Sequence, residues 1–123
     1  MRFALSLAVA ALVAPLPALA HPKLLSATPA PDAATAPTAR LQLVFSERLV
    51  PQFSGADVVM TEMPGMKMHG PMKMPVKASV AEDGKTLALT LAKPLPRGSY
   101  RVDWHVVSAD THRAQGNYSF KVQ

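Results

Sequence analysis

Two groups of residues in this chain carry donor atoms at spacings suited to metal chemistry. The first is "MTEMPGMKMHGPMKM", residues 60–74, with Met60, Met63, Met66, Met68, Met72, Met74 and His69. The only other methionine is the initiator. Methionine serving as packing filler would be spread among the elements of a core. Here Pro64, Gly65, Gly70, Pro71 and Pro75 interrupt the run, which defeats a helix and predicts an extended, partly exposed loop of thioethers. A thioether is neutral, has no proton for a metal to displace and cannot be lost to a disulfide. Soft sulfur donors select Cu(I) over harder ions. Met63, Met66, Met68 and His69 are close enough in sequence to converge on one ion, and Met60 or Met72 could close the site. The plainer alternative is a loop with incidental methionines, although exposing oxidisable side chains without a use is a liability.

The second group is dispersed: His21, Glu47, Asp110 and His112. Residues 1–20, "MRFALSLAVAALVAPLPALA", have an early positive charge at Arg2 and an apolar stretch from Phe3 to Val13. Pro15 and Pro17 then break the run, and an Ala-x-Ala step ends it. That layout predicts a cleaved secretory signal peptide rather than an N-terminal anchor, since the apolar run is short for a bilayer. Cleavage there leaves His21 as the first residue of an exported domain, residues 21–123. Its α-amine and imidazole Nδ1 would close a six-membered chelate ring on a metal. The amine titrates near neutrality, so a metal displaces its proton easily. Pro22 has no backbone N–H, so no second amide nitrogen can be recruited.

"SADTHR" offers groups for the open positions. Asp110 and His112 are two apart, so in an extended stretch both project to one side. Two nitrogens of His21, one of His112 and an oxygen of Asp110 make the N/O set that tetragonal Cu(II) favours. Glu47, in "FSERLV", is a further acidic candidate, as a ligand or as a hydrogen-bond acceptor that holds one. Taken singly, each of these residues is commonplace on a protein surface. His105, beside Arg101 and Asp103, reads as solvated.

The elements that must position these residues are strands. In "RLQLVFS", Leu41, Leu43 and Phe45 share a face, as do Val76, Ala78 and Val80 in the run around "VKASV". "EDGK" predicts a hairpin turn into "TLALTL", with Leu87, Leu89 and Leu91 in phase. "SYRVDWHVVS" sets Tyr100, Val102, Trp104 and Val106 on one face, and "NYSFKV" buries Tyr118, Phe120 and Val122. "LLSATP" and "GADVVMT" are weaker candidates. About seven short strands without a long helix predict an all-β fold, a small antiparallel sandwich or barrel. Residues 61–75 and the loop Ala109–Gln115 interrupt the pattern.

Composition narrows the function. The chain has 123 residues, no cysteine and a formal charge of +5, or +4 without Arg2 and the rest of the leader. A domain of 103 residues must stabilise its core without disulfides, and thiolate sites, cysteine nucleophiles and blue-copper centres are excluded. The basic residues are scattered and aromatics few, which gives nucleic-acid binding no support.

At "HPKLLSATP", "FSERLVPQFSGADVVMTEMPGM" and "YRVDWHVVSADTH" the sequence resembles the CopC family of periplasmic copper-resistance proteins, over essentially the whole of residues 21–123. The resemblance implies a Greek-key β-barrel of cupredoxin-like topology with copper sites at opposite ends. It implies Cu(II) at His21, Asp110 and His112 with Glu47 nearby, and Cu(I) in the methionine loop. It also implies a periplasmic location and exchange with a CopD-like inner-membrane copper protein; a monomer is expected. Met68 and Met74 look like additions to the family pattern, which shifts the register of His69.

The function expected is therefore a non-enzymatic copper carrier or scavenger that holds Cu(II) at one site and Cu(I) at the other. The alternative is a copper mono-oxygenase with an N-terminal histidine brace, like the enzymes that attack polysaccharides. Small size, no flat aromatic face, and a carboxylate where an oxygen species would bind all count against it.

Overall fold

The computed structural model describes Ala11 and residues 21–123. The leader expected at residues 1–20 lies, apart from Ala11, outside the described residues. The strands are β1 (Leu24–Thr28), β2 (Ala34–Thr35), β3 (Arg40–Phe45), β4 (Gly55–Glu62), β5 (Met72–Met74), β6 (Lys77–Val80), β7 (Thr86–Thr90), β8 (Gly98–Val107) and β9 (Arg113–Val122). A 3-10 turn at Pro51–Phe53 precedes β4.

They form two sheets, ordered β1-β3-β7-β6 and β2-β9-β8-β4-β5, and the chain crosses between them repeatedly. This is the all-β sandwich that the alternation predicts. Two details differ. Nine strands replace about seven, because β2 and β5 have only two and three residues, too few to show a period. And β2 pairs with β9 in parallel, whereas the other pairings are antiparallel.

Alternation places the expected side chains inside. Leu41, Leu43, Phe45, Leu87, Leu89, Tyr100, Val102, Val106 and Phe120 are at most 1% exposed. The Tyr100 hydroxyl follows its ring inward and donates to the Pro96 carbonyl at 2.5 Å. Burial pushes that phenol up to about 12, so it stays a donor at every ordinary pH. The "EDGK" turn closes the β6–β7 hairpin with Gly84 at φ +74, a left-handed value that glycine adopts without strain. Asp83 locks the turn. Its Oδ1 accepts the Lys85 and Thr86 backbone N–H groups at 2.9 Å each, and its Oδ2 accepts the Thr86 hydroxyl at 2.6 Å.

The methionine segment is the main departure. It is not all loop: β5 pairs with β4 through Val58↔Met74, Val59↔Lys73 and Met60↔Met72. Met60, expected in the exposed loop, is 1% exposed and packs in the core. It sits on β4 opposite Tyr100, on the face that strand geometry turns inward. It is the one methionine of the segment that acts as filler outright.

β8 is the spine on which both expected sites hang. Its ten residues span about 33 Å at ~3.3 Å each. The turn carrying Met63–Met66 lies beyond the Glu62↔Ser99 pair at its start, and the turn carrying Asp110 and His112 follows its end.

Candidate metal-binding sites at the two ends of the sandwich

At the β8–β9 end, three segments meet. Val107↔Arg113 is the last strand pair, and Ala109–Thr111 form a three-residue hairpin loop. The Ser108 N–H donates to the His112 carbonyl at 2.8 Å, and the Thr111 N–H to the Ser108 carbonyl at 2.8 Å. Thr111 has φ 73, so the loop is a tight turn closed by a left-handed residue, as three-residue hairpins require. The loop is pinned to the chain after β3 by a Leu49↔Ser108 bridge and by the Ala109 N–H on the Arg48 carbonyl at 2.8 Å. The same post-β3 segment holds the N-terminal arm. The Ser46 hydroxyl accepts the Lys23 N–H at 2.9 Å, and the Ser46 N–H donates to the Lys23 carbonyl at 2.9 Å. Pro22 is buried, while His21 remains exposed at the rim.

The outcome is that His21 and His112, 91 positions apart in sequence, stand edge to face with ring centroids 5.1 Å apart. Asp110 joins them through His112: its Oδ2 lies 3.1 Å from His112 Nδ1. That separation does not make a hydrogen bond, for the buried Nδ1 has no aligned partner. Asp110 Oδ1 accepts the Ser108 hydroxyl and, at 3.4 Å, the His112 N–H. The Ser108 hydroxyl first, and His112 second, hold the Asp110 carboxyl below the usual carboxylate range. It is an anion at neutral pH.

Of the sequence candidates, then, the structure brings together His21, Asp110 and His112. Glu47 is half-buried after β3 at the same end. Among the described residues no three His, Asp or Glu side chains form a cage dense enough to hold an ion by themselves. The arrangement is an open cluster of two imidazoles and a carboxylate. Sequence reasoning did not find Ser46 and Ser108, the serines that fasten the two halves. Nothing in "FSE" or "VSAD" distinguishes them from surface serines, and only the 1% exposure of Ser108 reveals its role. On β8, Trp104 meets Phe45 edge-on at 5.1 Å between centroids.

At the other end, the Pro64-Gly65 dipeptide makes a β-turn with Gly65 at φ +75, closed by the Met66 N–H on the Met63 carbonyl at 3.1 Å. Proline then glycine at the two central positions is the signature of a type II turn. The turn sets Met63 and Met66 opposite each other as a bridge pair. An open hollow of about 510 Å³ is lined by Met63, Met66, Met68, His69 and Met72. Met66 and Met72 are the most open, at 66% and 52% exposure. Met63, Met68 and Met74 lean on the core. The hollow is mostly thioether, with one imidazole and the cationic Lys67 at its rim. It suits a soft ion of low charge.

A family model described as the CopC domain matches residues 24–123. The chain is similar to Copper resistance protein C of Pseudomonas syringae pv. tomato, 52% identical over 106 residues that cover 86% of this chain and 83% of that one. It is 47% identical to Copper resistance protein C of Escherichia coli, again over 106 residues, covering 86% of this chain and 84% of the relative. Among solved structures it is similar to the crystal structure of PcoC, a methionine rich copper resistance protein from Escherichia coli. That match has a TM-score of 0.77 and 45% identity, and covers 85% of this chain and 100% of the other.

Proposed function

The chain belongs to the CopC domain family, and we propose that it is a copper-binding protein of copper resistance, a carrier and not an enzyme. Copper is its cargo. The observation that carries this reading is the approach of His21 to His112, with Asp110 against the latter, between two segments of chain that are distant in sequence. An imidazole brought from the chain's far end to an Asp-x-His step, on one shared rim, has no evident packing purpose.

Cu(II) is taken by His21, His112 and Asp110. Cleavage after residue 20 frees the His21 amine, which supplies the fourth donor and makes the first residue a chelate. Glu47 stands in reserve at the same end, as a ligand or as an acceptor for a ligand N–H. Cu(I) is taken by Met63, Met66, Met68 and Met72 with His69. Each oxidation state disfavours the other's donors, so an external one-electron reductant acting on bound Cu(II), or an external oxidant such as dioxygen acting on bound Cu(I), releases the ion. The protein acts as a monomer in the periplasm, and a CopD-like membrane protein is the recipient of its copper. The histidine-brace enzyme finds no support: the relatives are named for copper resistance, and a carboxylate ligand beside His112 would compete for the position an oxygen species needs.

Paired titrations test this, using processed protein that begins at His21. Cu(II) in air should bind one equivalent and quench Trp104, the only tryptophan, which stands on β8 four residues before Ser108. Cu(I) without oxygen should bind one equivalent at a site whose occupancy leaves the Cu(II) spectrum unchanged. Competition of the two ions for a single site would refute the two-site carrier.

A further inference from the structure

We propose that Ser108 is a positioning residue for the Cu(II) ligands, acting through Asp110 to make that carboxylate a one-oxygen ligand; the proposal rests on the Cu(II) reading above. Ser108 is 1% exposed, one of two buried polar side chains of the described residues outside glycine and the apolar core. Its backbone is held from both sides, by the bridge to Leu49 and by the N–H on the His112 carbonyl at 2.8 Å. The side chain therefore has a fixed origin. Its hydroxyl has one proton and two acceptors within reach, the Asp110 carboxylate and the His112 carbonyl at 3.2 Å. The charged acceptor takes it.

That bond, with the His112 N–H at 3.4 Å, occupies Asp110 Oδ1 from the protein side. Oδ2 is left facing His112 Nδ1 at 3.1 Å, and Nδ1 has no aligned hydrogen bond of its own. The carboxylate is thus divided: one oxygen anchors it and the other is presented to the metal beside the imidazole. A carboxylate free to turn about its last torsion could instead chelate with both oxygens or swing to solvent. Either would change the shape of the coordination plane. Ser108 selects among these geometries without touching the ion, as partners of metal ligands do elsewhere.

The test compares Ser108→Ala, Ser108→Thr, Asp110→Asn and the Ser108→Ala/Asp110→Asn double variant, each processed to His21. Cu(II) affinity is measured by chelator competition and coordination by electron paramagnetic resonance. Thermal unfolding without metal monitors the fold. Ser108→Ala should weaken Cu(II) by ~10–100-fold and shift the hyperfine splitting, with Cu(I) affinity of the methionine loop unchanged. Ser108→Thr, which keeps the hydroxyl, should restore the wild-type spectrum. The double variant should bind Cu(II) no more weakly than Asp110→Asn alone, since two residues acting in one chain of contacts are not additive. An unaltered spectrum and affinity in Ser108→Ala would overturn the proposal, even with a lowered melting temperature, because a merely structural serine predicts that pattern. Additive losses in the double variant would overturn it as well. His112→Ala is run alongside: if it leaves Cu(II) binding intact, the Cu(II) reading itself is wrong and this proposal goes with it.

Discussion

Trp104 lies flat across Gly116 on the neighbouring strand. The two are register partners in the β8–β9 ladder, and a Cβ built at position 116 would come within 2.5 Å of Trp104 Cζ2 and 2.9 Å of Cε2. Glycine here is required by the close approach of a ring, with no unusual backbone angle involved. Gly116→Ala should force the indole off its seat against Phe45, at an overpacking cost of about 1–3 kcal/mol. Urea unfolding followed by Trp104 fluorescence reads it as a lower midpoint. A midpoint equal to wild type would mean that the indole has room to move.

The N-terminal pincer makes a sharp prediction. One extra residue ahead of His21 removes the primary amine while leaving the imidazole, Pro22 and Lys23 in place. Cu(II) affinity should fall by more than the ~10–100-fold that loss of an outer-shell partner costs, with Cu(I) affinity and unfolding midpoint unchanged. Isothermal titration with each ion checks it. Equal losses for both ions would contradict separate sites.

The methionines divide into two classes by position. Met63, Met66 and Met68 line the hollow, so replacing all three with leucine should abolish tight Cu(I) binding and spare Cu(II). Met60 is in the core, so Met60→Leu should leave Cu(I) affinity untouched and change stability by less than ~1.5 kcal/mol, as volume-conserving swaps do. Chelator competition under anaerobic conditions separates the two. A Cu(I) defect in Met60→Leu would mean that β4 opens to admit the ion.

Asp83 ties stability to pH. The Thr86 hydroxyl first, then the Lys85 and Thr86 N–H groups, hold its carboxyl below the ordinary value of 3.8. A depressed folded-state value means that the unfolded chain binds the proton more readily. The contribution is therefore full above the ordinary carboxylate range and is lost as pH falls through the depressed value. Asp83→Ala should lower the unfolding midpoint at neutral pH and shrink the gap from wild type in strong acid. A gap that is constant with pH would show that the turn is held by its backbone alone.

The extent to which the chain declares itself differs between its parts. Strands long enough to repeat, such as "RLQLVF" and "SYRVDWHVV", show a period of two, and the in-phase residues are buried, with Trp104 half-buried. A turn with a dedicated chemistry was equally legible, since Asp83-Gly84 closes a hairpin, whereas Pro64-Gly65 reads in the sequence only as a helix breaker and proves to be a β-turn. β2 and β5 were not legible, since two or three residues have no period and pair only because a sheet edge is offered to them.

Residue types alone determined the donor inventory. A cysteine-free chain with six methionines in fifteen residues, a histidine before a proline and an Asp-x-His step has few other metals to choose from. Which donors meet was decided by the tertiary fold. His21 and His112 face each other because Ser46 ties down the N-terminal arm and Leu49 ties down the β8–β9 loop. Met60 left the donor set because strand alternation turned it inward, opposite Tyr100. Composition is a property of the chain, whereas convergence depends on long-range pairing and burial. Neither leaves a local trace in the sequence, so serines as ordinary as Ser46 and Ser108 acquired their roles only once the sheets had closed.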